Sequence, residues 1–256
     1  MFAVEKFEIT HNHRWFCVGE LAGHFDALQR FLNKVDFQPS TDRLILPGNF
    51  IGMTPTSRAA PAWLGKHWVK AVLGENEIAL MAQLRGERSP ALVGQWLRKM
   101  SVEQRSILLG QLEAMPMALE LSRAGAVTVV THRHIPSGSS WYELTEKMSE
   151  DISHGDAIER FGTRLDGLRL SGLMGKLEHQ SISDICLGIS TLVVEKPSRI
   201  FSRNGNRCVL LSSALLNQGR RFDCPALLPF VELNSLIEQK LEKSQCQGQL
   251  DTMSKS

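Results

Sequence analysis

Three short apolar runs in the first third of the chain each end in glycine, and no other feature restricts the fold as strongly. "RWFCVG" (14–19), "DRLILPG" (42–48) and "VKAVLG" (69–74) each read as a buried strand closed by a turn. Between the first two, Phe25, Leu28, Phe31, Leu32 and Val35 recur at helical spacing, so residues 23–35 are expected to form an amphipathic helix. The third run leads into "ENEIALMAQL" (75–84), which also suits a helix. Strands alternating with helices predict a mostly parallel sheet. In such sheets the loops at the carboxyl ends of the strands carry the site. All three glycine turns are therefore expected on one rim.

The pattern changes further on. Residues 89–121 show no strand signal and are expected to be a helical insert, with "SVEQ" (101–104) as a capping box in which Ser101 caps and Gln104 reaches back. "AVTVVTH" (126–132) resumes the sheet, and residues 137–180 read as short helices and polar loops. "ISDICLG" (182–188), "SRIFSRNGNRCVLLSS" (198–213) and "LLPFVEL" (227–233) follow, the middle one a hairpin around its "NGN". The expected fold class is α/β, with a parallel β-α-β start and antiparallel C-terminal strands. Residues 1–235 read as a single domain, and 236–256 as a short helix fading into a polar tail.

Composition narrows the partners more than the chemistry. A net charge of +2 over 256 residues predicts no strong field, so neither nucleic acid nor a polybasic membrane anchor is expected. No apolar run approaches the ~20 residues of a membrane helix, and "MFAVEKFEITHNHRW" lacks a signal-peptide core. Cys17, Cys186 and Cys208 sit in apolar runs, and the five cysteines show no C-x-x-C spacing, which suits a reducing, cytoplasmic setting. His11, His13 and His24 read as solvated side chains rather than a metal cluster, and His134 as a residue beside His132. Trp63, Trp68 and Trp96 read as core or interface anchors, and Met115 and Met117 as packing residues. Trp96, Leu97, Met100, Leu108 and Leu112 give the helical insert an apolar face, either packed on its own sheet or exposed to dock a partner.

The glycine turns, in this order and with these gaps, resemble those of the calcineurin-like metallophosphoesterases, and most nearly the lambda-type phage and bacterial serine/threonine phosphatases. That family carries G-D-x-H-G, then G-D-x-x-D-R-G, then G-N-H-E. The matching positions here are Gly19-Glu20-Leu21-Ala22-Gly23, Gly48-Asn49-Phe50-Ile51-Gly52-Met53-Thr54 and Gly74-Glu75-Asn76-Glu77. "FDALQRFLNKVDFQPSTDRLILPG" matches the intervening helix, the F-x-P-x-x-D loop and the second strand, and "THRHIP" (131–136) resembles the family's V-H-A-x-x-P. The resemblance covers most of residues 14–233 and implies an α/β/β/α sandwich.

It also implies a site with two divalent metals at the rim, bridged by an aspartate, that place a hydroxide in line with phosphorus. Position by position, this chain departs from it. Glu20 stands for an aspartate, Ala22 for a histidine, Asn49 for the bridging aspartate, Glu75 for an asparagine and Ile189 for the last histidine, while His132 is retained. Asn76 stands for the histidine that would protonate the leaving group, Gly52 for the aspartate orienting it, and Met53 for a phosphate-clamping arginine. Arg164 in "FGTR" either matches a second phosphate-binding arginine of the family or is an ordinary surface arginine. A neutral amide bridges two cations poorly, and it is no general acid near neutral pH. The expectation is a pseudophosphatase acting by binding an unidentified protein. It needs no cofactor, or holds one weakly bound manganese or zinc ion among Glu20, Asn49, Glu75 and His132. The alternative is a metal-dependent phosphoesterase for phosphomonoesters or dinucleoside polyphosphates with atypical or residual activity. A nucleotide pocket without turnover is the third reading.

Overall fold

The computed structural model describes residues 4–10, 12–87, 94–123, 126–132, 184–189, 198–203, 206–212 and 230–235. Arg164, His11, His134, the 137–180 segment and the 236–256 tail lie outside these residues, as does the side chain of Ile189.

Two sheets make up the framework. Strands β2 (Trp15–Val18), β3 (Arg43–Leu46) and β4 (Val69–Ala71) pair in parallel, and β10 (Phe230–Glu232) adds antiparallel to β2. The second sheet has six strands in the order β1-β5-β6-β7-β9-β8, where β1 is Val4–Glu8, β5 Ala118–Arg123, β6 Ala126–Thr131, β7 Asp184–Ile189, β8 Ser198–Arg203 and β9 Asn206–Ser212. β8 and β9 pair antiparallel, as expected of these two strands, although β7 joins β9 in parallel.

Alternation along the strands divides the core. Trp15, Cys17 and Ile45 point to one side and meet Leu119, Leu121, Val130 and Leu233, so the two sheets face each other. Phe16, Val18, Leu44 and Leu46 point to the other side, onto helices α1 (Phe25–Lys34), α2 (Ala60–Leu64), α3 (Glu75–Leu84) and α4 (Val102–Glu113). Helix α1 buries Phe25, Ala27, Leu28, Phe31 and Leu32 along one face, and each of its large side chains contributes about 1.5–3 kcal/mol by leaving water. Trp63, Trp68, Met115 and Met117 are buried in this same layer, as their packing role requires. The fold class is the α/β sandwich of the metallophosphoesterases.

One expectation fails. The stretch 89–121 is not helical throughout. After a 3-10 turn at Gln95–Lys99 and helix α4, strand β5 begins at Ala118. Pro116 bars continuation of the helix, and "ALELSR" alternates between buried and half-buried residues while pairing with both β1 and β6. Of the two readings of the insert's apolar face, the packed one holds: Trp96, Leu97, Met100, Leu108 and Leu112 are all buried within the monomer, so this face packs on its own chain. The capping box at Ser101 forms as expected, with the Gln104 N–H donating to Ser101 Oγ at 3.2 Å and Ser101 N–H to Gln104 Oε1 at 3.0 Å.

Candidate functional site

The carboxyl ends of β2, β3 and β4 share one rim because the three strands are parallel. β2 runs into the turn 19–23, β3 into Pro47, Gly48 and Asn49, and β4 through Val72 and Leu73 to Gly74, where α3 starts. Gly23 and Gly48 have φ of 89° and 85°, a backbone that glycine adopts without strain. Gly48 is also required by space, since a Cβ there would stand 2.7 Å from the imidazole of His132.

His132 follows β6 and reaches this rim from the other sheet. Its Nδ1 lies 2.9 Å from the Pro47 carbonyl oxygen. A carbonyl only accepts, so Nδ1 carries a hydrogen, and in the neutral ring Nε2 holds the lone pair. The structure thus brings His132 against the second glycine turn, beside Asn49, and buries both. Glu20 is buried on the first turn and Glu75 is half-buried at the first position of α3. Among the described residues, no three histidine, cysteine, aspartate or glutamate side chains gather closely enough to hold a metal ion.

The polar side chains at the rim are turned onto its own backbone. Asn49 Oδ1 accepts the Asn76 N–H at 3.0 Å, and Asn76 Nδ2 donates to the Ile51 carbonyl at 2.8 Å. Glu77 is fully buried. Its Oε2 accepts from Asn49 N–H (2.7 Å) and Gly74 N–H (2.9 Å), and its Oε1 from Ile51 N–H (2.9 Å). One carboxyl group therefore ties the second turn to the start of α3. Burial raises its pKa from an ordinary 4.5 to about 7, against these N–H donors, which lower it. The sequence reading gives Glu77 no role. The signal was present, because glutamate at the third position of a helix is where a capping side chain reaches back.

Apolar residues fill the spaces between these groups. Leu21, Phe50 and Ile51 are wholly buried within the turns. The Gly52 carbonyl accepts from Trp96 Nε1 at 2.8 Å, which anchors the second turn to the 95–99 segment. Met53, at the phosphate-clamp position, points outward and is 67% exposed. His13 Nδ1 lies 2.6 Å from the Thr41 carbonyl, and His24 precedes α1 with its pKa lowered by burial.

These residues do not fit a pair of metal ions. Asn49, where the resemblance places a bridging aspartate, offers a neutral amide whose oxygen already accepts a backbone N–H, and Ala22 offers no ligand.

No protein-family model matches the chain. It is 29% identical over 152 residues to a symmetrical bis(5'-nucleosyl)-tetraphosphatase of Paracidovorax citrulli, covering 57% of this chain and 54% of that one. It is 29% identical over 142 residues to serine/threonine-protein phosphatase 1 of Salmonella typhimurium, covering 53% and 64%. The matches thus span between half and two-thirds of these relatives' lengths. Among solved structures, a candidate diadenosine tetraphosphatase superposes with a TM-score of 0.58 over 83% of this chain and 88% of that one, at 13% identity, a likeness of fold alone.

Proposed function

We propose that this chain, a member of the calcineurin-like metallophosphoesterase superfamily, keeps the phosphoesterase scaffold without two-metal hydrolysis. One observation carries this reading. Asn49, Asn76 and Glu77, at or beside the positions where the family places metal and acid chemistry, are hydrogen-bonded to the backbone of the turns themselves. An amide at 76 cannot protonate a leaving group, and a methionine at 53 cannot grip a phosphate. Loss of a single charge-stabilising group typically removes about 3 kcal/mol of transition-state stabilisation. Several have gone together here. The role proposed for such a scaffold is regulation by binding another protein.

The comparisons taken alone favour the second reading, a metal-dependent phosphoesterase. The relatives are named as hydrolases of dinucleoside polyphosphates and of phosphoproteins. His132 supports it too, because a ring N–H held by a backbone carbonyl is how metal-bound histidines are oriented. Such an enzyme would use one manganese or zinc ion.

Turnover of para-nitrophenyl phosphate and of diadenosine tetraphosphate, measured with excess manganese, separates the two. The proposal expects no turnover of either. Manganese-dependent hydrolysis that disappears in His132→Ala would establish the second reading in its place.

A further inference from the structure

The end of the fold opposite the glycine turns holds a groove that the rim does not use. It lies where α1 hands over to β3 and α2 to β4, beside the amino-terminal ends of the two strands. Its volume is about 500 Å³, an ordinary size for a ligand site. Phe37, Trp63 and Trp68 line it together with Asn33, Asp36 and Lys66.

The rings form a corner. Trp63 and Trp68 meet edge to face, with centroids 5.9 Å apart and planes at 88°, and Phe37 packs on Trp68 at 4.9 Å. The Lys66 ammonium stands 5.6 Å from the Trp63 centroid and 5.4 Å from that of Trp68. Both distances lie within the ~6 Å at which the negative face of a ring attracts a cation. The Lys66 backbone is pinned, since its N–H donates to the Trp63 carbonyl at 3.1 Å and its carbonyl accepts from the Val69 N–H at 3.0 Å. Its ammonium enters no ion pair among the described residues. Asp36 is exposed, and its Oδ1 accepts from the Gln38 amide at 3.0 Å. Arg14 donates to the Asp36 backbone carbonyl, but its charge is matched by Asp42.

We propose that this groove receives a lysine side chain of a partner polypeptide, with Lys66 as its resident competitor. Three aromatic rings and one carboxylate complement an alkylammonium group, and the groove already accepts one from its own chain. An anion would meet the negative ring faces and Asp36 instead. An incoming lysine takes the indole corner as Lys66 swings out, and Asp36 supplies the countercharge. A tethered cation acts at high effective concentration, so Lys66 weakens every external one. The proposal deepens the reading above by giving the protein partner a chemistry, and rests on that reading for the partner's role.

Indole fluorescence of the full-length protein, titrated with a blocked Ala-Lys-Ala tripeptide, tests this. Lys66→Ala is expected to bind the tripeptide about fivefold or more tighter than the wild type. Asp36→Asn is expected to bind it about threefold or more weaker at low salt. Asparagine suits the left-handed φ of 48° that Asp36 holds, and if Lys66→Ala fails to fold, Lys66→Gln makes the same comparison. The norleucine tripeptide, with the stem but not the charge, is expected not to bind. Failure of Lys66→Ala to bind the lysine tripeptide more tightly than wild type, equal binding of the norleucine one, or a wild-type preference for a glutamate tripeptide each overturns the proposal. Hydrolysis of diadenosine tetraphosphate by the wild type would instead remove the functional reading, while the titration still decides the groove.

Discussion

Glu77 shows how much one buried carboxyl can do at a rim that has few ligands left. It receives three backbone N–H groups, and truncation to alanine would leave these donors inside the protein without an acceptor. Each such orphan costs about 1–3 kcal/mol, so Glu77→Ala is expected to lose about 3 kcal/mol or more in denaturant unfolding. The pH dependence has a definite sign. A carboxyl whose folded pKa is raised contributes stability while protonated, so its contribution is whole below its ordinary 4.5 and lost as pH rises through about 7. Glu77→Gln cannot ionise. Between about pH 4.5 and pH 8 the wild type should lose stability relative to Glu77→Gln by on the order of 3 kcal/mol, and parallel pH profiles would refute the assignment. Nothing in the letters G-E-N-E separates Glu75 from Glu77 by residue type. The separation comes from helix geometry, since the third position of α3 turns back onto the helix start while the first does not.

At the scale of elements, the start of β3 is clasped to the start of β2. Arg14 Nε and Nη2 donate to the two carboxylate oxygens of Asp42 at 3.0 and 2.5 Å, and the Gln38 N–H adds a bond at 2.7 Å. Burial raises the Asp42 carboxyl, but Arg14 and the Gln38 N–H outweigh it and hold it below its ordinary value. The contribution of a depressed carboxyl is present above its ordinary pKa and lost as pH falls through the folded one. Asp42→Asn is therefore expected to cost about 1–3 kcal/mol at neutral pH, with the gap to wild type narrowing in acid below about pH 4; equal stability at neutral pH would refute the clasp. Elements of this kind were the legible part of the fold. β2, α1, β3 and β4 announce themselves because strand and helix periods alternate between glycines, and the hairpin does so through N-G-N. β1 and β5 do not. Each is half-polar; β1 pairs with β5 across more than a hundred residues, which no local pattern encodes, and β5 also pairs with its neighbour β6. The site was legible as a set of departures from a motif. The bonds that Asn49, Asn76 and Glu77 make in place of ligation depend on the fold of three turns at once.

Taken whole, the molecule draws its stability from two apolar layers, one between the sheets and one beneath the helices. Neither layer contains a metal ligand set among the described residues. Dialysis against a chelator is accordingly expected to leave the melting temperature unchanged, because on the proposed reading the fold does not draw its stability from ligation. A drop of several degrees after chelation would reveal a structural ion. The order of the first sheet has a consequence in time. β10 covers the free edge of β2, and the Trp15 N–H closes onto Asn234 Oδ1 across 219 residues of chain. Closure entropy grows only with the logarithm of loop length, so this distance costs little in equilibrium stability. It does postpone pairing. At roughly 5–20 residues per second of synthesis, the β2 edge waits on the order of 10–40 s for its partner to leave the ribosome, an interval set by the 219-residue separation. For that time an all-apolar strand, Trp15 to Val18, presents unpaired backbone to any other nascent chain nearby.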